Sequence, residues 1–233
     1  MPPSDPAPRL VLLCGGENTR LRSLRHTVYK PFLDIEDSTF VAQQVERARR
    51  EGLEEVVVVT DAEDGLVTRL IREIRASVPG VELAEATVAG SVEEKIVAVA
   101  PHDRALVAHG DTHAWFSWRD LIDAATQQAT DSAILVAPYR LPFGVVHVAE
   151  DGRATTFEEK PETGYLVNLG HMLLGPRALE MLGSGTSLVD VLRTLSADGD
   201  VATLRAGKAT FLTLDGPEDV IAAQAHIRKL GWD

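Results

Sequence analysis

Cysteine is almost absent from this chain: its 233 residues include one, Cys14. That excludes an internal disulfide and a metal site built from cysteines. Cys14 ends an apolar run, which marks it as a small buried side chain rather than a nucleophile. Lysine is scarce as well, with five in all. Cationic side chains are outnumbered, 23 Lys and Arg against 35 Asp and Glu, for a net charge of -12. Such a balance excludes a general nucleic-acid surface and binding to anionic membranes. No apolar run approaches the roughly 20 residues of a membrane-spanning helix. Residues 1–8 lack the basic and apolar regions of a secretion signal, so a short flexible tail and a cytoplasmic location are expected. Beyond those eight residues there is no low-complexity segment, and no internal repeat is found. What remains, 45% hydrophobic and 25% charged, is ordinary globular composition. The length fits one large α/β domain over 9–233 better than two independent ones.

Hydrophobic patterning supplies the order of elements. Leu10 to Leu13 reads as a buried strand. Phe32 to Ile35 reads as a short extended piece, and Phe40, Val41, Val45 and Ala48 share one face of a helix that Gly52 stops. Glu55 to Thr60 is a β-branched run without alternation, as in a strand covered on both faces. Leu66, Val67, Leu70, Ile71 and Ile74 stripe the next helix. Strand Val81–Ala84, helix Ser91–Ala100, strand Arg104–Ala108, helix Leu121–Gln128 and strand Ala133–Ala137 follow. This alternation predicts a Rossmann-like, mostly parallel sheet flanked by helices. After residue 140 the pattern changes. Gly144–Val148 and Ala154–Phe157 read as a hairpin turning at Asp151-Gly152. Further expectations are a strand at Leu166–Leu174, helices at Ala178–Leu182 and Ser187–Ala197, and strands at Val201–Leu204 and Phe211–Leu214. The last element is a helix opened by Gly216-Pro217, with Val220, Ala223, Ile227 and Leu230 on its apolar face.

The segment that organises the chain is Leu12-Leu13-Cys14-Gly15-Gly16-Glu17-Asn18-Thr19-Arg20-Leu21, continued to Tyr29-Lys30-Pro31. A buried strand runs into Gly15-Gly16, where the backbone can bend and approach a ligand closely. Residues 20–30 then carry Arg20, Arg22, Arg25 and Lys30 and no acidic residue. A cationic run after a glycine turn at a strand end suits a polyphosphate: backbone N–H groups hold the oxygens and Arg and Lys neutralise the charge. Two familiar loops are excluded. Walker A needs Gly-Lys-Ser/Thr, and in G-x-G-x-x-G the second glycine would fall on Asn18.

From Leu13 to Pro31 the chain resembles the signature of the sugar-phosphate nucleotidyltransferases, roughly L-A-G-G-x-G-T-R-L-x-P-L-T-x-x-x-P-K-P. Gly15, Gly16, Thr19, Arg20, Leu21, Leu24, Lys30 and Pro31 match; Cys14, Asn18, Ser23, Arg25 and Tyr29 depart. The resemblance continues in family order to about Lys229. Ala89-Gly90-Ser91 is similar to L-G-T, and His109-Gly110-Asp111 to x-G-D. Phe143-Gly144-Val145-Val146 is similar to Y-G-V-V, and Phe157-Glu158-Glu159-Lys160-Pro161 to F-x-E-K-P. Val167-Asn168-Leu169-Gly170 matches V-N-x-G, and Asp215-Gly216-Pro217-Glu218-Asp219 resembles the D/G-T-P-E-D segment. The resemblance implies a single nucleotidyltransferase domain with a nucleotide half at 9–140 and an acceptor half at 141–233. It implies that Arg20 contacts the triphosphate and that Lys30 stabilises charge at the reacting phosphate. Cys14, Gly15, Gly16, Asn18, Thr19, Gly90, Ser91 and Gly110 would surround the nucleotide. Gly144, Glu159, Lys160 and Asn168 would take the acceptor, and Asp111 would hold Mg²⁺. The implied partners are an NTP and a phosphorylated small molecule, foremost a sugar 1-phosphate.

The departures are specific. Asn18 replaces a glycine but is the residue that best tolerates a left-handed backbone. The family's second metal-binding Asp falls on Thr213, a poor Mg²⁺ ligand, leaving Asp215 two residues on as a substitute. Two alternatives stay open on the sequence: the same fold acting on a non-sugar acceptor such as phosphocholine or a phosphonate, and a catalytically weak relative that senses nucleotide. Base, sugar and oligomeric state are not specified, and a homo-oligomer is compatible with the chain.

Overall fold

The computed structural model describes residues 8–15, 29–101, 103–141, 143–206 and 211–232. The elements run β1 (Arg9–Leu13), a 3-10 turn (Lys30–Phe32), α1 (Phe40–Arg50), β2 (Glu55–Thr60), α2 (Gly65–Ser77), β3 (Glu82–Thr87), α3 (Val92–Val99), β4 (Ala105–His109), β5 (Thr112–His113) and α4 (Trp118–Gln127). They continue with β6 (Ser132–Arg140), β7 (Val145–Val148), β8 (Ala154–Glu158), β9 (Glu162–Leu174), α5 (Pro176–Gly183), α6 (Leu188–Ala197), β10 (Val201–Arg205), β11 (Leu212–Thr213) and α7 (Pro217–Leu230).

Seven strands form one sheet in the order β10-β6-β9-β4-β1-β2-β3. All pairings are parallel except those of β9, which runs antiparallel to both β4 and β6. The mostly parallel, helix-flanked sheet is the fold expected from the alternating first half. Period-two geometry explains why the strands read as unbroken apolar runs. Leu10, Leu12, Val56, Val58, Leu106 and Ala108 face one side and pack with Val41, Val45, Ile71, Trp118 and Leu121 of α1, α2 and α4. Val11, Leu13, Val57, Val59 and Val107 face the other and pack with Ile96, Leu179, Val191 and Leu195 of α3, α5 and α6.

Side-chain caps start the helices where the sequence changes from polar to apolar. Thr39 accepts from the Ala42 N–H, Asp64 from Leu66 and Val67, and Ser117 from Arg119 and Asp120. Ser91 and Glu94 form a reciprocal capping box at α3.

Three expectations are corrected. The extended piece at Phe32 is preceded by a tight turn over Lys30–Phe32, because Pro31 fixes φ in the helical range; extended backbone begins at Leu33. The strand read as Leu166–Leu174 begins at Glu162, since its exposed first residues pair with Pro138 and Arg140 rather than with the core. The two-residue strand β5 was not expected and pairs antiparallel with β11. α7 lies on a separate small core of Ile35, Phe40, Leu212, Leu214, Ala223 and Ile227, which secures the β5–β11 ribbon to α1.

Candidate active site

Strands β1, β2 and β4 end side by side, and at carboxyl ends of a parallel sheet ligands bind. The N–H of Cys14 donates to the Val59 carbonyl at 2.8 Å and that of Gly110 to the Leu13 carbonyl at 2.9 Å. Cys14 is fully buried; burial and the neighbouring Asp111 charge push its thiol pKa up, so it stays a protonated packing group. Gly110 sits against it: a β-carbon there would lie 2.6 Å from Cys14 Sγ and 3.0 Å from Pro31 Cγ. Glycine at 110 thus lets Pro31, and Lys30 with it, close over the ends of β1 and β4.

The β5–β11 ribbon completes this corner. Thr213 lies opposite Thr112, their hydroxyls 3.2 Å apart, and the Leu214 N–H donates to the Asp111 carbonyl at 3.0 Å. The Thr112 hydroxyl stands 3.5 Å from Asp111 Oδ1. One turn further, Asp215 Oδ1 is 3.4 Å from Lys30 Nζ, a pair joining residues 185 apart in sequence. The N–H groups of Asp215 and Gly216 both donate to Asp219, which shapes the entry to α7. Lys30, Asp111 and Asp215, singled out separately, are therefore brought to one place, with Thr213 beside them.

The residues expected to take the acceptor divide into two groups. Asn168 and Gly170 reach the end of β4: the Gly170 N–H donates to Asn168 Oδ1 at 2.9 Å, and the His109 ring lies over Gly170, whose φ is +71°. Gly144, Glu159 and Lys160 belong instead to the β7–β8 hairpin. A β-carbon at Gly144 would meet Phe157 Cζ at 2.5 Å and Glu159 Oε2 at 3.1 Å, so the glycine admits both side chains. Lys160 has φ +47°, and the Leu141 N–H donates to the Pro161 carbonyl at 3.0 Å, closing the base of the hairpin. Glu159 and Lys160 are exposed and make no hydrogen bond or ion pair with the Lys30 corner among the described residues.

Gly90, with φ +124°, and Ser91 follow β3, where the Val88 N–H donates to the Thr60 carbonyl. The Ser91 hydroxyl and N–H are both used in the capping box with Glu94. Gly16, Asn18, Thr19 and Arg20, like Arg22 and Arg25, lie outside the described residues.

The sequence profile of the family described as nucleotidyl transferase matches residues 9–200. The chain belongs to the nucleotidyl transferase family. Among curated relatives, the chain is 25% identical over 192 residues to mannose-1-phosphate guanylyltransferase 1 of Arabidopsis thaliana, covering 75% of this chain and 52% of that one. It is 26% identical over 157 residues to the D-glycero-alpha-D-manno-heptose 1-phosphate guanylyltransferase of Campylobacter jejuni, covering 64% and 67%. The chain thus spans about half the length of the plant enzyme. A Bacillus anthracis crystal structure described as a glucose-1-phosphate thymidylyltransferase superimposes with TM-score 0.77 at 16% identity, over 97% of this chain and 98% of that one, which shows the shared fold.

Two residues beside Gly15 escaped the sequence reading. Asp61, just past β2, lies against Gly15, and Lys95 of α3 forms an ion pair with it. Lys95 is 6% exposed. Lys95 follows Glu93 and Glu94 in α3, so nothing in the local sequence sets it apart.

Proposed function

We propose that the chain joins an NTP to a sugar 1-phosphate, releasing pyrophosphate and forming an NDP-sugar. The observation that carries this reading is the convergence of Lys30, Asp111 and Asp215 beside Gly15 and Gly110 at the carboxyl ends of β1 and β4. An oxygen of the sugar phosphate attacks the α-phosphorus in line, the bond to the bridging oxygen breaks, and pyrophosphate leaves. Such transfers are catalysed by positioning and charge rather than by a protein nucleophile. Lys30 neutralises charge at the α-phosphate and the departing pyrophosphate, and Arg20 binds the triphosphate. Cys14, Gly15, Gly16, Asn18 and Thr19, with Gly90, Ser91 and Gly110, bind the nucleotide, and Gly144, Glu159, Lys160 and Asn168 take the acceptor.

The donors fit Mg²⁺ in a particular way. No group of three or more His, Cys, Asp or Glu assembles a ready metal cage among the described residues. Asp111 has no cationic partner there, and Asp215 is bound to Lys30 over 3.4 Å with its side chain 60% exposed. Mg²⁺ typically takes one or two carboxylates together with substrate phosphates. Asp111 would hold it, Asp215 would join once Lys30 turns to a phosphate, and the ion would lower the charge barrier between attacking and leaving oxygens.

Pyrophosphate release with Mg²⁺ tests the reading across the common NTPs, each with sugar 1-phosphates and phosphocholine. GTP with mannose 1-phosphate or a heptose 1-phosphate is the first pair to try, because the curated relatives carry those names. A productive sugar pair supports the proposal. Turnover with phosphocholine alone would replace the acceptor, and nucleotide binding without pyrophosphate release from any pair would reject transfer.

A further inference from the structure

The turn after β1 is braced by an ion pair for which the proposed chemistry has no use. A β-carbon at Gly15 would fall 2.7 Å from the carboxyl carbon of Asp61 and 2.9 Å from its Oδ1. Gly15 does not have a positive φ, so the carboxylate, not the backbone, is what requires glycine here. Asp61 is in turn paired with Lys95, whose ammonium has no other partner among the described residues. Replacing a buried ion pair by apolar side chains is often neutral or stabilising, so stability alone does not call for this one. The residue after Asp61, Ala62, is hydrogen-bonded through its backbone to Tyr29, the residue before Lys30. The short segment after β2 therefore meets the β1 turn, the root of the Lys30 turn, and the helix opened by Gly90-Ser91.

We propose that Asp61, braced by Lys95, is a positioning residue of the nucleotide site, holding the Gly15 turn, the Tyr29–Lys30 segment and α3 in one arrangement before nucleotide arrives. The inference rests on the function proposed above. Asp61 is assigned no contact with a reacting atom; it acts through Gly15, and the adjoining Ala62 carries the link to Tyr29. The pairing also has an electrostatic logic. A lone carboxylate at the turn would repel a triphosphate, and Lys95 cancels it.

The test compares the full chain with Asp61→Asn, Lys95→Met and the double variant. Hydrogen exchange is read without ligand, and binding of GTP, dTTP, CTP, UTP, ATP and pyrophosphate is read by titration. The double variant replaces the ion pair with neutral groups of similar size, so its melting temperature stays near the parent's. Exchange around Gly15, Tyr29 and Gly90 rises, and nucleotide affinity falls about ten-fold. Lys95→Met alone also loses affinity, because it removes the ion pair that braces Asp61. Parent-like exchange in those three segments of the double variant overturns the proposal. If the parent binds none of the nucleotides, the proposed function fails, while the exchange result still decides for or against the brace. A second cycle, Gly15→Ala with Asp61→Ala, guards against misfolded variants. Non-additive losses are expected for a residue acting through Gly15, and fully additive ones would overturn the proposal.

Discussion

At the scale of single residues, Lys30 is the side chain on which the site turns. Its ion pair with Asp215, at 3.4 Å, ends on a carboxylate that is mostly in water, so that pair adds little to stability. Lys30→Ala is expected to lower turnover about 100-fold, the usual cost of losing a preorganised charge at a transition state. Its melting temperature should stay close to the parent's; kcat for pyrophosphate release beside a thermal melt checks both. Thr213 makes the opposite kind of prediction. Its hydroxyl meets Thr112 at 3.2 Å, close to Asp111. Thr213→Asp puts a second carboxylate there and should lower the Mg²⁺ concentration giving half-maximal rate. The residues proposed for these roles were picked out in the sequence because each stands in a short motif with its own chemistry. Asp61 and Lys95 were not: their meaning comes from meeting across 34 positions, and each alone reads as an ordinary surface charge.

Among the elements, α3 has the most to connect. Lys95 ties it to the end of β2, and Glu93 reaches the start of α6, accepting from the Leu188 N–H at 2.7 Å. That hydrogen bond, more than the nearby Ser91 contact, holds the Glu93 carboxyl below its ordinary value of 4.5. A depressed carboxylate adds stability above its unfolded pKa and loses it as pH falls through the folded one. Glu93→Gln should therefore destabilise the chain by about 1 kcal/mol near neutrality, with the difference from the parent shrinking in acid. Denaturant melts at pH 7 and below pH 4 measure it. Element reading from sequence succeeded where periodicity was long: Glu55–Thr60 was expected and found with the same bounds. It failed for β5, since two residues have no period, and its partner β11 lies about a hundred positions away. The first residues of β9 were missed for a related reason: they are exposed and take their extended form from β6.

Taken whole, the molecule keeps two imidazoles where water does not reach. His113 and His171 are 1% and 0% exposed, and burial lowers the pKa of each from 6.5 to about 3. His113 is enclosed by Phe40, Trp115 and Trp232, and His171 by Phe116 and Trp118, with its Nδ1 3.0 Å from the Leu169 carbonyl. Below pH 6.5 the unfolded chain takes up protons that the folded chain refuses, so stability falls as pH drops from 6.5 toward 3. His171→Phe should reduce that slope in melting temperature against pH while leaving it unchanged above pH 7. The described residues contain no helix long and apolar enough to cross a membrane. The fold class was readable from strand–helix alternation, because a parallel sheet needs its crossovers. The antiparallel β9 between β4 and β6 was not readable, as strand direction has no trace in composition. The hairpin that follows β6 leaves and rejoins the sheet at adjacent points, Leu141 and Pro161 being joined by one hydrogen bond. Its two ends are therefore a natural pair of splice points: residues 143–160 form a cartridge that could be exchanged for a relative's while the seven-stranded sheet stays as it is.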